Sequence, residues 1–314
     1  MSYLGNLTLR LAAGAMQLPE EFRLRHAGFL AASQRDDGGF AGRRGQSDLY
    51  YTGFALRGLT LMGALTDEAA QRAAHFLRAN LSHDLPAVDF LSLVFSSVLV
   101  ELSHGQDVFG QAGVDRRATV CERLTPLRRD DGGFAKTPAS GRSSTYQTFL
   151  SVACLQLIGA EIDQPERIAA MVHSRLRSDG GFAELDLIAS SGTNPTAAAV
   201  GLLRLLEATD PSTQPSWDAA VSARFLAATQ TADGGLRANT RIPMGDLLST
   251  CTGLIALADL DGLDAIDLER AQSFIDSMEA PGGGFRGGGW DSEVDAEYTF
   301  YGLAARALLA TVGK

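Results

Sequence analysis

Two acids near the C-terminus, Asp295 and Glu297, stand among the rings of Trp290, Tyr298, Phe300 and Tyr301, and a third acid near the N-terminus, Asp48, stands beside Tyr50, Tyr51 and Phe54. Desolvation pushes a carboxyl among apolar rings toward its neutral form, which can then serve as a Brønsted acid close to neutral pH. Aromatic π faces stabilise a neighbouring cation. Together these residue types could protonate an alkene and shelter the resulting carbocation. The expected catalytic residues are therefore Asp295, Glu297 and Asp48, with Tyr50, Tyr51, Phe54, Trp290, Tyr298 and Tyr301 against the substrate. A second constellation is Arg237, Arg241 and Asp246, just ahead of an apolar stretch, where the arginines could grip an anionic group by bidentate hydrogen bonds. A plainer role competes with both. Asp48, Asp246 and Asp295 each open an apolar, helix-like run, the register of an N-cap, and rings at helical spacing commonly serve as core.

These stretches lie at opposite ends of the chain, so only the fold can bring them together. A short phrase supplies the plan: Asp37-Gly38-Gly39-Phe40 returns at Asp131–Phe134 and Asp179–Phe182, and more loosely at Asp233–Leu236 and Gly282–Phe285. The copies recur about every 47 to 54 residues, with one gap of about twice that length, so a sixth repeat without the phrase belongs near residues 75–105. Six repeats follow, near residues 20–65, 68–104, 115–160, 164–208, 216–261 and 266–312. Each pairs an amphipathic helix such as Glu20 to Gln34 with the phrase, a polar loop and a second, sparsely charged helix. Those second helices are expected over 48–65, 89–102, 144–158, 196–206, 246–260 and 295–310. Six wet outer helices around six apolar inner ones make an all-α, α6–α6 toroid, with residues 1–314 expected as a single domain. Its first and last repeats would be neighbours, and its site would lie where the inner helices begin. The Gly-Gly pair reads as a turn, because glycine takes positive φ without steric cost.

The 314 residues are 45% hydrophobic and 20% charged, ample for a large core, and the formal net charge of −10 argues against a nucleic-acid partner. Cys121, Cys154 and Cys251 show no paired or metal-type spacing. The first residues lack a basic segment followed by an apolar run, and the most apolar window, 90–102, is short for a membrane span. These features predict a cytoplasmic protein with no leader and no transmembrane segment.

The run Gln34 to Gly45, followed by Asp48-Leu49-Tyr50-Tyr51-Thr52 and Ala55-Leu56-Arg57-Gly58-Leu59, resembles the repeat of the protein prenyltransferase β subunits. Squalene and terpene cyclases share that repeat family. The resemblance implies a zinc site of Asp, Cys and His, with the Asp and Cys opening the fifth inner helix and the His the sixth. Here Asp246 matches the Asp, but Leu248 stands in place of the Cys and Tyr298 in place of the His. One carboxylate does not hold zinc, so no metal is expected. The diphosphate-binding His of the family falls on the loop 190–194, which has none, while Arg237 and Arg241 match the family's basic pair in altered spacing. Against class II terpene cyclases, Asp295-Ala296-Glu297-Tyr298 resembles the first three positions of Asp-x-Asp-Asp, with Glu297 as proton donor.

The expected function is an isoprenoid-handling enzyme acting on a prenyl diphosphate or polyprenyl chain without zinc, and a diphosphate substrate would bring Mg²⁺. A class II-type cyclase and a non-catalytic toroid holding a lipid or protein are the alternatives. The expected partners are an isoprenoid or other hydrophobic small molecule and, by resemblance to the β subunits, a helical partner subunit or a second copy.

Overall fold

The computed structural model describes residues 2–209 and 217–312. The expected start of the fifth repeat at 216 lies outside them. Among the described residues, outer helices α2 (Glu20–Ala32), α4 (Asp67–Ala79), α7 (Arg116–Leu124), α9 (Pro165–Ser174), α11 (Ala219–Ala227) and α13 (Leu268–Ser277) alternate with inner ones. The inner helices are α3 (Leu49–Leu61), α5 (Ala87–His104), α8 (Thr145–Leu157), α10 (Thr193–Thr209), α12 (Leu247–Asp259) and α14 (Ala296–Ala310). A further helix, α1 (Tyr3–Ala15), precedes them, and a four-residue turn, α6 (Val108–Gln111), precedes α7. Two inner helices run longer than their sequence pattern: α10 starts three residues earlier, at Thr193, and α5 reaches His104. The 18-residue α5 is apolar and long enough by composition to cross a membrane, longer than the apolar window in the sequence suggests. Here it packs against α3 and α4 and buries residues such as Phe90, Leu93 and Val94.

The chain gathers into two compact units. The central unit holds the chain up to Leu7 together with Arg123–Ser277, and in it α10 packs between α8 and α12. The terminal unit holds Thr8–Glu122 together with Met278–Lys314, so it draws on both ends of the sequence. Within it α14 packs on α3, and α3 on α5. Within this unit the inner helix of the last repeat therefore adjoins that of the first.

The phrase is a repeated piece of hydrogen-bonded carpentry. Its Asp accepts from the second Gly N–H two residues on, at 3.0 Å from Asp37, Asp131 and Asp179 and at 3.1 Å from Asp233. Such an Asx turn is what a short side-chain acceptor at this position allows. The first Gly has a positive φ, +91° at Gly38, where an added Cβ would also meet the Arg72 carbonyl oxygen at 2.1 Å. The next residue, Phe40, Phe134, Phe182, Leu236 or Phe285, is at most 2% exposed. Its N–H donates to a threonine Oγ1 one turn inside the following inner helix: Thr52, Thr148, Thr196, Thr250 and Thr299, at 2.8–3.1 Å. All five threonines are fully buried. The phrase thus seats the apolar plug and fixes the first turn of the inner helix together. In the first and last repeats the link extends into a two-stranded antiparallel ribbon that periodicity alone did not show. Phe40–Ala41 (β1) pairs with Ser47–Asp48 (β2), and Phe285–Arg286 (β3) with Val294–Asp295 (β4).

The phrase of the last repeat has no Asp, and a distant side chain does its work. Buried His26, on α2, accepts the Gly284 N–H at Nδ1 (3.0 Å), stacks on the Phe285 ring at 4.8 Å and turns Nε2 to Glu279 at 3.1 Å. With Nδ1 accepting, the ring carries its proton on Nε2. Burial, reinforced by Arg25 and opposed by Glu279, lowers its pKa from 6.5 to about 4. Between those values the unfolded chain takes up a proton that the folded one refuses. The stabilising contribution is therefore whole above about pH 6.5, declines as the pH falls, and levels off below about 4. The loss should approach about 3 kcal/mol, because each tenfold change in proton affinity is worth roughly 1.4 kcal/mol. Urea unfolding at a series of pH values across that window measures it. His26→Gln, whose amide oxygen can still accept from Gly284, should flatten the slope. An unchanged slope would remove His26 from this role.

Candidate active site

The starts of α3 and α14 bring the sequence-separated acids and rings into one cluster in the terminal unit. Asp48, Asp246 and Asp295 are N-caps, accepting from Tyr51 (2.7 Å), Ser249 (2.7 Å) and Tyr298 (2.8 Å) N–H groups. The plainer role is therefore real for all three, and the structure separates them beyond it. Asp295 is 3% exposed, and its second oxygen accepts from Arg43 Nε at 2.8 Å. Arg43 also forks onto Asp291, while Arg44 reaches Glu293 at 2.6 Å, so the loop after β1 is tied to the loop before β4. Burial tends to raise the Asp291 carboxyl, but the Arg43 contacts win and hold it below its usual value. Arg43 itself rises further above its already high value, chiefly through Asp291.

Glu297 differs. It sits half-buried in the first turn of α14, and Tyr50 OH donates to Oε1 at 2.8 Å. Burial raises its pKa above 4.5 and the Asp295 charge adds to that, while the Tyr50 hydrogen bond, Arg57 and Arg43 pull the other way. Asp48 is also raised by desolvation, with nearby Asp89 adding to it and the Tyr51 N–H opposing. Its carboxyl stands at the exposed edge of the cluster. Of the three acids expected from sequence, Glu297 combines partial burial, a raised pKa and a hydroxyl partner.

The rings join into one chain of contacts. Tyr50 meets Tyr51 at 5.6 Å and Phe54 at 4.9 Å between centroids, Phe54 meets Tyr301 at 5.3 Å and Phe300 at 5.8 Å, and Tyr301 meets Tyr298 at 6.4 Å. Most of these crossings are edge-to-face, the arrangement the ring quadrupole favours. Trp290 stands apart. It is 61% exposed, with its ring over Gly288, in the loop before β4. Sequence reasoning missed Arg57, whose guanidinium lies 4.3 Å from the Phe54 centroid and 4.8 Å from that of Phe300. The signal was there: Arg57 is the single charged residue of apolar α3. Arg43 was legible only as part of the repeat.

The second constellation lies in the central unit and does not assemble around an anion. Arg237 donates to the Ala228 carbonyl at 3.3 Å, and Arg241 is exposed in its loop. Asp246 gives one oxygen to Ser249 N–H and the other to Ser249 Oγ, both at 2.7 Å. From there an uncharged network continues, with Asn194 Nδ2 at 3.5 Å from Ser249 Oγ and Thr252 donating to Asn194 Oδ1 at 2.7 Å. Burial raises the Asp246 pKa, against the Ser249 hydrogen bonds. This donor set does not fit zinc, because Leu248 offers no ligand atom and Asp246 has both oxygens engaged. Among the described residues no three His, Cys, Asp or Glu side chains are grouped to hold a metal ion.

Comparison with known proteins places the chain. The prenyltransferase alpha-alpha toroid domain matches residues 16–77, 91–237 and 199–314, and the chain belongs to that family. The fold class is therefore the α/α toroid. No curated protein matches the sequence. Among solved structures, Candida albicans protein geranylgeranyltransferase-I complexed with GGPP is similar at a TM-score of 0.69, with 14% identity over 90% of each chain. A type II terpene cyclase from Scytonema, in complex with geranylgeranyl dihydroxybenzoate, gives a TM-score of 0.55 with 15% identity over 98% of each chain. The Lin0763 protein from Listeria innocua gives 0.61 with 12% identity over 93% of this chain and 97% of its own. At these identities the likeness shows the fold.

Proposed function

We propose that this toroid is an isoprenoid-handling enzyme that works without the zinc site of the protein prenyltransferases, with Glu297 as its proton donor. One observation carries the reading: a half-buried carboxyl of raised pKa is held by a tyrosine hydroxyl at the edge of a continuous aromatic cluster. A general acid needs a proton at working pH and a substrate atom within reach. Burial raises the Glu297 pKa, the direction the first requires, and the partly exposed rings of Tyr50 and Tyr51 offer access for the second. Protonating a terminal alkene moves the proton from Glu297 to carbon and leaves a tertiary cation, which the faces of Tyr50, Phe54 and Tyr301 would stabilise. Asp295 is a positioning residue here: as an N-cap paired to Arg43, it fixes the turn that presents Glu297. Two similar folds support the substrate class, since one is described with GGPP bound and the other with geranylgeranyl dihydroxybenzoate.

A zinc-free reaction on a prenyl diphosphate is the second reading, favoured by the Arg57 guanidinium whose charge acts on Glu297, and Mg²⁺ would accompany such a substrate. The test is incubation of the purified protein with geranylgeranyl diphosphate, with and without Mg²⁺, and with geranylgeranylated phenols, followed by mass spectrometry. A cyclised isomer of unchanged mass supports the proton-donor reading. Release of diphosphate supports the second. Recovery of every substrate unaltered overturns both and leaves the toroid as a binding protein for a lipid or a protein partner.

A further inference from the structure

Away from the Glu297 cluster, in the central unit, an open polar recess is lined by Arg128, Arg129, Arg142 and Arg175 with Asp131 and Ser143 between them. Arg175 is the unusual member. It is 4% exposed, and its Nη2 donates to Ser143 Oγ at 2.8 Å and lies 3.3 Å from Asp131, while its Nε is buried with no hydrogen-bond partner. The repeat does not need an arginine there. The residue that accepts, through its carbonyl, from the N–H after the plug is Ser33, Leu127, Arg175, Thr229 or Met278 in successive phrase-bearing repeats. The Asp–Ser lock also closes without arginine elsewhere, as between Asp179 and Ser191. Burying a guanidinium with an orphan donor is costly, and neither the turn nor the plug requires it.

Four acids stand near the four guanidiniums, but they are not all paired with them. Asp131 answers Arg175, Asp186 pairs with Arg142, and Asp163, outside the recess, pairs with Arg128. Arg129 spends its donors on the carbonyls of Pro126, Arg128, Thr137, Pro138 and Ser140. Those bonds keep its loop in place but leave its charge uncompensated by a carboxylate contact, against one exposed acid, Asp130, at the rim.

We propose that this recess binds a small phosphate or diphosphate group, with Arg175 at its floor and Arg142 and Arg128 at its rim. The guanidinium donors at floor and rim suit several oxygens on one centre, which a phosphate presents and a single carboxylate does not. Opening the Arg142–Asp186 pair at the exposed rim costs little, so Arg142 can turn to the ligand.

Calorimetric titration of the full chain with inorganic phosphate and with pyrophosphate tests this. Saturable binding should weaken about tenfold or more in Arg142→Gln, the change expected for one lost charge-assisted hydrogen bond. Arg175→Met should abolish it, and Arg224→Gln, an exposed arginine of α11 outside the recess, should leave it unchanged. Arg142 is at the surface, so its variant keeps the test decisive if Arg175→Met fails to fold. Vesicles containing phosphatidic acid distinguish the source: retention of the protein on vesicles with competition by pyrophosphate identifies a lipid headgroup, and binding in solution without vesicle retention a soluble phosphate. No saturable binding by the wild type, or equal affinity in Arg142→Gln, would overturn the site. The outcome is independent of Glu297, so this inference and the proposed activity fail separately.

Discussion

Glu297→Gln is expected to reduce isoprenoid turnover by at least about 10²-fold, the lower end of what a positioned general acid contributes. The amide keeps the size of the carboxyl, and its oxygen can still accept from Tyr50 OH, so the first turn of α14 stays intact. Substrate affinity should change little, which places the loss in kcat rather than KM. Tyr50→Phe supplies the signature of mechanism. That hydroxyl lowers the Glu297 pKa by stabilising the ionised form, so removing it should raise the pKa further. Activity that needs protonated Glu297 falls as the pH rises through this value, and the falling limb of the profile should therefore move to higher pH in Tyr50→Phe. Wild-type kcat in Glu297→Gln would end the assignment. An unmoved limb in Tyr50→Phe would show that Glu297 is not the group being titrated.

The largest stability effect is expected from the plugs of the repeated phrase. Phe182 is fully buried, its N–H is bonded to Thr196, and its ring meets Trp217 edge-on at 6.1 Å. Phe182→Ala should cost about 3–5 kcal/mol, combining lost transfer free energy with the cavity left behind. Leu187→Ala, at a position 72% exposed in the same repeat, should stay within about 0.5 kcal/mol of wild type. The chain has two tryptophans, and Trp217 reports on the central unit while Trp290 is exposed. Urea denaturation followed by tryptophan fluorescence should therefore show an earlier transition in Phe182→Ala. A midpoint equal to that of Leu187→Ala would mean that the phrase is a connector and not a structural plug.

Several site residues were legible because their signals are local. An Asp ahead of an apolar helical run accepts N–H groups three residues on, and Asp48, Asp246 and Asp295 all do so. That Leu248 and Tyr298 stand in place of metal ligands came from the resemblance to the prenyltransferase β subunits, read through the register of the repeat. The choice between Asp295 and Glu297 was not local. It depends on Arg43 and Tyr50, which lie 252 and 247 residues away along the chain from the acids they contact. Trp290 shows the opposite failure, since its place among the aromatics in sequence did not carry it into the cluster.

The sequence by itself determined the repeat, the turn at each Gly-Gly and the helix starts, because each follows from hydrogen bonding and periodicity over short stretches of chain. The tertiary structure decided which acid is ion-paired and which keeps a raised pKa without a direct cationic partner. It also put His26 in the place of the missing Asp of the last phrase, and it gathered Arg128, Arg129 and Arg142 around the buried guanidinium of Arg175. Those outcomes depend on desolvation and on contacts between residues far apart in the chain, and neither exists until the repeats pack.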